Sequence, residues 1–244
     1  MTETTRTLTV DGLFNLRDLG GLRAGDRTVL PGRVLRSDGL FRLTDTGREQ
    51  LDALGVATAL DLRDDAERAH QPSLVSDAVT VVPTPIFQGA AQSVRDGISL
   101  EALYRDLLDG FGENYAVAVR RLATHDERPV LVHCTAGKDR TGTVIALALS
   151  AIGVDRDEII ADYALTEQNL AGQWVDAHID MLDRFGVAIT PELMRLVGGS
   201  PASAMAETLD YVAERYGSAR AYLLGNGVTE AELAALELRL LGEA

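Results

Sequence analysis

Cys134 is the only cysteine, so an internal disulfide and a thiol-rich zinc site are both excluded. Any sulfur chemistry rests on that one thiol. Lysine is equally scarce: Lys138 stands alone among 23 basic residues, and arginine supplies every other cation. Basic residues are outnumbered by 37 acidic ones, and the net charge of −14 opposes non-specific attraction to nucleic acid or to an anionic membrane. An anionic ligand therefore needs a locally positive pocket. No apolar run approaches the roughly 20 residues that cross a bilayer. The opening MTETTRTLTV has neither the basic start nor the apolar stretch of a secretory signal. These absences suggest a cytoplasmic protein, or one exported without a standard signal peptide. No repeat and no low-complexity tract is visible, which disfavours solenoids and arrays. What remains is a composition 46% hydrophobic and 25% charged, ordinary for one folded domain with a sizeable core.

Strand and helix signals alternate along the first two thirds. A short strand is expected at 7–10 and another around 33–36, with the polar, glycine-ended stretch FNLRDLGG at 14–21 between them. Thr46 and Glu49 form a capping-box pattern for a helix over 45–54, stopped by Gly55. The runs 56–62 and 79–82 have strand length, and a helix at 65–70 between them makes a βαβ unit. Helices at 100–108 and 115–123 precede the run 129–133, a strand buried on both faces, and 143–152 is a buried helix ending at Gly153. Beyond 155 the helical period dominates, with Leu170, Trp174, Ala177, Met181 and Phe185 on one stripe and further helices at 201–216 and 229–241. The stripe reads as core, with cover for a lipid-like substrate as the alternative. The expectation is a single α/β domain over 1–244, a central largely parallel sheet flanked by helices with a helical C-terminal third. Within it, 163–216 is a candidate lid or insertion.

The sequence VLVHCTAGKDRTG at 130–142 sets Cys134 directly after the buried strand, Arg140 six positions later, and a helix immediately beyond. In such a loop the backbone N–H groups of Thr135, Ala136, Gly137 and Lys138, with the helix N-terminus, can hold a tetrahedral dianion while the Arg140 guanidinium grips two of its oxygens. The same positive surroundings favour a thiolate at Cys134, to which the Thr141 hydroxyl is placed to donate. Cys134 would attack phosphorus in line, Arg140 would stabilise the equatorial oxygens, and water would hydrolyse the cysteinyl-phosphate, with no metal or other cofactor required. Asp139 is the carboxylate placed to protonate the leaving group, with Asp96 second. Lys138 is a point charge for a second anionic group on the substrate. His133 would orient the loop or serve as a core group; His70, His125 and His178 read as structural or exposed.

The loop HCTAGKDRTG at 133–142 resembles the phosphate-binding loop of the bacterial tyrosine-phosphatase-like family. NLRDLGG at 15–21, RSDGLFRLTDTGREQLDALGV at 36–56 and ALDLRDDAER at 59–68 resemble that family's other recurrent segments, in the same order. The resemblance spans about 10–155 and implies a cysteine-dependent phosphatase fold acting on phosphotyrosine, phosphoserine or phosphothreonine, or phosphoinositides. It makes Cys134 the nucleophile, Arg140 the phosphate clamp, Asp139 the acid and Lys138 a substrate contact. The mobile Trp-Pro-Asp motif of eukaryotic tyrosine phosphatases is absent, which favours Asp139. Asn15, Arg17, Asp18, Arg36, Asp38, Asp61 and Arg63 lie in the other similar segments. Asp61 and Arg63, leaving a strand, are expected with His133 in the substrate pocket, and the others either there or in a buried ion-pair network.

The expected partner is a phosphorylated protein or a phosphoinositide, with no nucleic acid and the oligomeric state open. Two other classes fit a Cys-x5-Arg loop. A sulfurtransferase or an arsenate reductase uses a similar anion cradle, although the latter commonly recruits further thiols. A binding module would capture phosphorylated ligands without turning them over.

Overall fold

The computed structural model describes residues 6–88, 99–123, 127–184 and 186–243. Asp96, His125 and Phe185 lie outside them. Strands β1 (Arg17–Asp18), β4 (Val34–Ser37), β5 (Thr58–Asp61), β6 (Thr80–Pro83) and β7 (Val130–His133) form one sheet in the order β1-β4-β7-β5-β6, and β2 (Arg23–Ala24) and β3 (Arg27–Thr28) pair as a separate ribbon. Within the five-stranded sheet β1 is antiparallel to β4, whereas β4, β7, β5 and β6 are parallel, with Ser37, His133 and Asp61 level across the sheet. The fold is thus the expected mostly parallel α/β sheet. Its first strand is at 17–18, and the stretch expected as a strand at 7–10 contributes only an isolated bridge from Thr7 to Arg17.

Alternation along the strands sends side chains to two cores. Val34, Leu60, Val130 and Val132 join the larger one, and Leu35, Ala59 and Leu131 the smaller one, which α1 (Asp45–Ala53) covers through Leu51. The N-cap of α1 is Thr44, whose Oγ1 accepts from the Gly47 amide at 3.0 Å, rather than the Thr46 and Glu49 pair. Helix α2 (Asp65–His70) falls where expected and is closed by a capping box between Asp64 and Glu67. Helices α3 (Leu100–Gly110), α4 (Gly112–Leu122), α5 (Asp139–Ala151), α6 (Arg156–Leu170), α9 (Ala202–Tyr216), α10 (Ala219–Gly225) and α11 (Glu230–Leu241) wrap the larger core, with α7 (Gln173–Arg184) and α8 (Pro191–Gly198) set between α6 and α9. The apolar stripe from Leu170 to Met181 is not one helical face. Gly172 breaks it between α6 and α7, so Leu170 and Trp174 are buried whereas Met181 is 36% exposed. Among the described residues no helix is long and apolar enough to cross a membrane.

Candidate active site

Parallel strands end together, so β4, β7 and β5 deliver Ser37, His133 and Asp61 to one edge of the sheet. This carboxyl edge is where ligands of open α/β sheets bind. The segment from Cys134 to Lys138 leaves β7 there and runs into α5, nearly all of which is buried. Its curvature is held from behind. The Gly39 amide donates to Thr135 O at 2.9 Å, Asn15 Nδ2 donates to Ala136 O at 3.0 Å and Gly137 O at 3.2 Å, and Arg36 Nη2 donates to Gly137 O at 2.8 Å. A trans peptide points its carbonyl and the following N–H in opposite directions. With these carbonyls drawn outward, the amides of Ala136, Gly137 and Lys138 turn to the other side of the loop. Among the described residues no side chain caps α5, which leaves its N-terminal amides and dipole to the same concavity. Gly137 is obligatory: its φ is +66°, and a Cβ would lie 2.2 Å from Ser37 O.

The supports of this loop form a buried network. Asn15 Oδ1 accepts from Arg17 Nη1 at 2.5 Å and from Asn169 Nδ2 at 3.2 Å, which fixes the amide with its nitrogen toward the loop. Asp162 on α6 gathers Arg6 at 2.7 Å, Arg17 at 3.0 Å and Arg36 at 2.6 Å. Burial raises the cost of the Asp162 charge, yet these arginines outweigh it and hold the carboxyl far below its usual range. Asp38 accepts the amides of Phe14 and Asn15 through Oδ1, but burial dominates and pushes its pKa up to about 6. Asp18 instead caps the amides of Gly20 and Gly32, in the turn beside β1.

On the working side, Arg140 occupies the first turn of α5 and forms a fork to Glu67 of α2, with Nη1 to Oε2 at 2.5 Å and Nη2 to Oε1 at 2.8 Å. The Thr135 hydroxyl donates to the same Glu67 Oε1 at 2.6 Å. Burial works against both charges of the pair, but their bonds prevail: Glu67 is held below, and Arg140 above, its ordinary range. The nearby Cys134 sulfur adds to the hold on Arg140. Cys134 itself is buried at the base of the loop. Asp139 Oδ1 accepts from the Tyr104 hydroxyl at 2.7 Å, and Tyr104 is in turn 2.6 Å from the Tyr163 hydroxyl.

The structure therefore brings Cys134, Thr135, Ala136, Gly137, Lys138, Asp139 and Arg140 into one cradle, with Asn15 and Arg36 directly behind it and Arg17 one bond further back. Three expectations are corrected. Asp61, Arg63 and His133 do not line a pocket mouth: each is 0% exposed. Asp61 is forked to Arg63 at 2.9 and 2.7 Å, and Arg63 also donates to Gln71 O. His133 lies 3.7 Å from Asp61, with burial pushing its pKa down to about 4. Among the described residues the buried Thr141 hydroxyl has no hydrogen-bond partner, so the donation to Cys134 is not made. Lys138 is not free to meet a substrate anion: its buried Nζ donates to Leu196 O at 2.5 Å and Gly199 O at 3.0 Å at the end of α8, and lies 3.5 Å from Asp139 Oδ1. A cation there also complements the negative end of the helix. Of the histidines, His70 is exposed and His178 stacks on Trp174 at 3.6 Å.

Glu67, Tyr104, Asp162 and Tyr163 were not legible as site residues. Only Glu67 carried a signal, the Asp64-x-x-Glu67 capping pattern, and that pattern speaks of a helix start rather than of Arg140.

The model of the tyrosine phosphatase family matches residues 8–242. The triple specificity protein phosphatase PtpB of Mycobacterium tuberculosis is 31% identical in an alignment covering 95% of this chain and 98% of the relative. A tyrosine-protein phosphatase of Nostoc commune is 31% identical over 87% of this chain and 76% of its own length. With a cysteine and an arginine set at the two ends of an anion cradle, the chain belongs to the tyrosine phosphatase family and is a cysteine-based phosphoric monoester hydrolase.

Proposed function

We propose that Cys134 is the nucleophile toward phosphotyrosine in proteins or peptides, with phosphoserine, phosphothreonine and phosphoinositides as further substrates. The observation that carries this is the out-turned set of loop carbonyls on Gly39, Asn15 and Arg36, which aims the opposite amides and the uncapped α5 N-terminus at one point. The loop amides and Arg140 bind the phosphoryl oxygens, and Glu67 keeps the guanidinium beside Thr135. Sulfur attacks phosphorus as the ester oxygen departs, and Asp139 gives that oxygen its proton. The same carboxylate then takes a proton from the water that releases phosphate and regenerates the thiolate. Lys138 sets its charge between Asp139 and the end of α8; direct contact with a substrate anion requires α8 to lift from its ammonium. The Mycobacterium tuberculosis relative is named for triple specificity, which supports the breadth of substrates.

The test is phosphate release, with EDTA present, from a phosphotyrosine peptide, a phosphoserine peptide and a phosphoinositide. Wild-type protein is expected to act on all of these, fastest on phosphotyrosine, and Cys134→Ser to lose release by about 10³-fold or more. Release that persists in the variant would remove Cys134 from the mechanism.

A further inference from the structure

We infer that Tyr104 is a positioning residue for the proton transfer: its hydroxyl holds one oxygen of Asp139 so that the other carries the proton to the leaving group. This rests on Asp139 being the acid, as proposed above. Tyr104 sits on α3, is fully buried, and donates to Asp139 Oδ1 at 2.7 Å. A hydroxyl has one proton, and that of Tyr104 is spent on the carboxylate, so the 2.6 Å contact with Tyr163 must have Tyr163 as donor. The chain thus has one polarity, from Tyr163 to Tyr104 to Asp139. Burial, ahead of the Asp139 charge, holds both phenols well above their ordinary range, which keeps their protons in place.

The arrangement is built rather than incidental. The rings of Tyr104 and Tyr163 meet edge to face with centroids 6.2 Å apart. Tyr163 lies so close to α5 that a Cβ at Gly142 would come within 2.9 Å of its ring. Lys138 Nζ approaches the same Asp139 oxygen at 3.5 Å. Oδ1 is therefore committed to a hydroxyl and an ammonium, and a proton on Asp139 belongs on Oδ2. Without the Tyr104 hydroxyl only the longer Lys138 contact is left on a terminal torsion that is broad and nearly two-fold, and the two oxygens can exchange roles. The proton is then on the wrong oxygen for part of the time.

The experiment compares kcat/KM for 4-nitrophenyl phosphate, whose leaving group needs little protonation, with that for phenyl and alkyl phosphates, whose leaving groups need it. Wild type, Tyr104→Phe, Tyr163→Phe, Asp139→Asn and the Tyr104→Phe/Asp139→Asn double variant are measured. Tyr104→Phe is expected to lose about tenfold on the poor leaving groups and about twofold or less on 4-nitrophenyl phosphate, in kcat rather than KM. Tyr163→Phe should lose less in the same sense, and it carries the test if Tyr104→Phe does not fold. In the Asp139→Asn background the Tyr104 effect should vanish. Equal loss on all substrates in the tyrosine variants, with Asp139→Asn still selective for poor leaving groups, would overturn the inference alone. Equal loss in Asp139→Asn itself would overturn the acid assignment and the inference together.

Discussion

Asn15 donates to the Ala136 and Gly137 carbonyls while its own oxygen is taken by Arg17 and Asn169, so its amide has no freedom to turn. Gly137 O keeps Arg36 if Asn15 is lost, but among the described residues Ala136 O accepts from Asn15 alone. Asn15→Ala should therefore let the peptide between Ala136 and Gly137 rotate, scattering one of the amides that face the phosphoryl group. The expected result is a rise in KM for an aryl phosphate of about three- to tenfold, and a loss of about 1–3 kcal/mol in unfolding free energy, the range for stranding a buried acceptor. Steady-state kinetics and urea melts check the two numbers. An unchanged KM with lowered stability would make Asn15 a scaffold residue with no influence on the cradle.

Elements were legible in proportion to how local their causes are. Helix α2 begins and ends where its capping box and charges place it, and β7 is the apolar run that leads into the loop. Helix α1 starts at Asp45 as expected, but its cap is Thr44 rather than the Thr46 pattern, because Thr44 both caps Gly47 and donates to Asp11, a partner 33 residues away. The site divides the same way. Cys134 and Arg140 share one loop and one spacing, whereas Asp162 reaches Arg17 across 145 residues and Arg140 reaches Glu67 across 73. Contacts of that span leave no periodicity to read. Lys138 is a further case: its rarity marked it, but the structure uses it to close the C-terminal end of α8. Lys138→Met keeps the length of the side chain and removes the donor. Limited proteolysis should then cut within 173–199 several-fold faster, with the sheet and α5 protected as before. Equal protection of that segment would show that α7 and α8 are held by packing alone.

At the scale of the whole molecule, two buried groups should give stability a pH dependence of opposite sign. His133 has its pKa lowered from 6.5 to about 4, so between those values the unfolded chain binds a proton that the native state refuses, and stability falls as pH falls. Asp38 has its pKa raised from 3.8 to about 6, so the native state keeps a proton the unfolded chain has released, and stability falls as pH rises through that window. Over pH 4 to 6 the two slopes oppose each other. An amide at position 38 can still accept the Phe14 and Asn15 amides but cannot ionise. Asp38→Asn should therefore expose the histidine slope, to which His178, lowered by burial to about 4 as well, adds with the same sign, and unfolding free energy should climb more steeply from pH 4 to 6 than in wild type. Urea titrations across that interval decide it; parallel profiles would mean that Asp38 is ionised in the native state.

A chain with a single lysine, and that one sealed beneath α8, also carries its own reporter. Amine-directed acylating reagents find one side chain in the protein, and they find it only when Leu196 and Gly199 release it. The mass of one acyl group on Lys138, followed in time, is a clock for the release of the end of α8, and it runs without any change to the sequence.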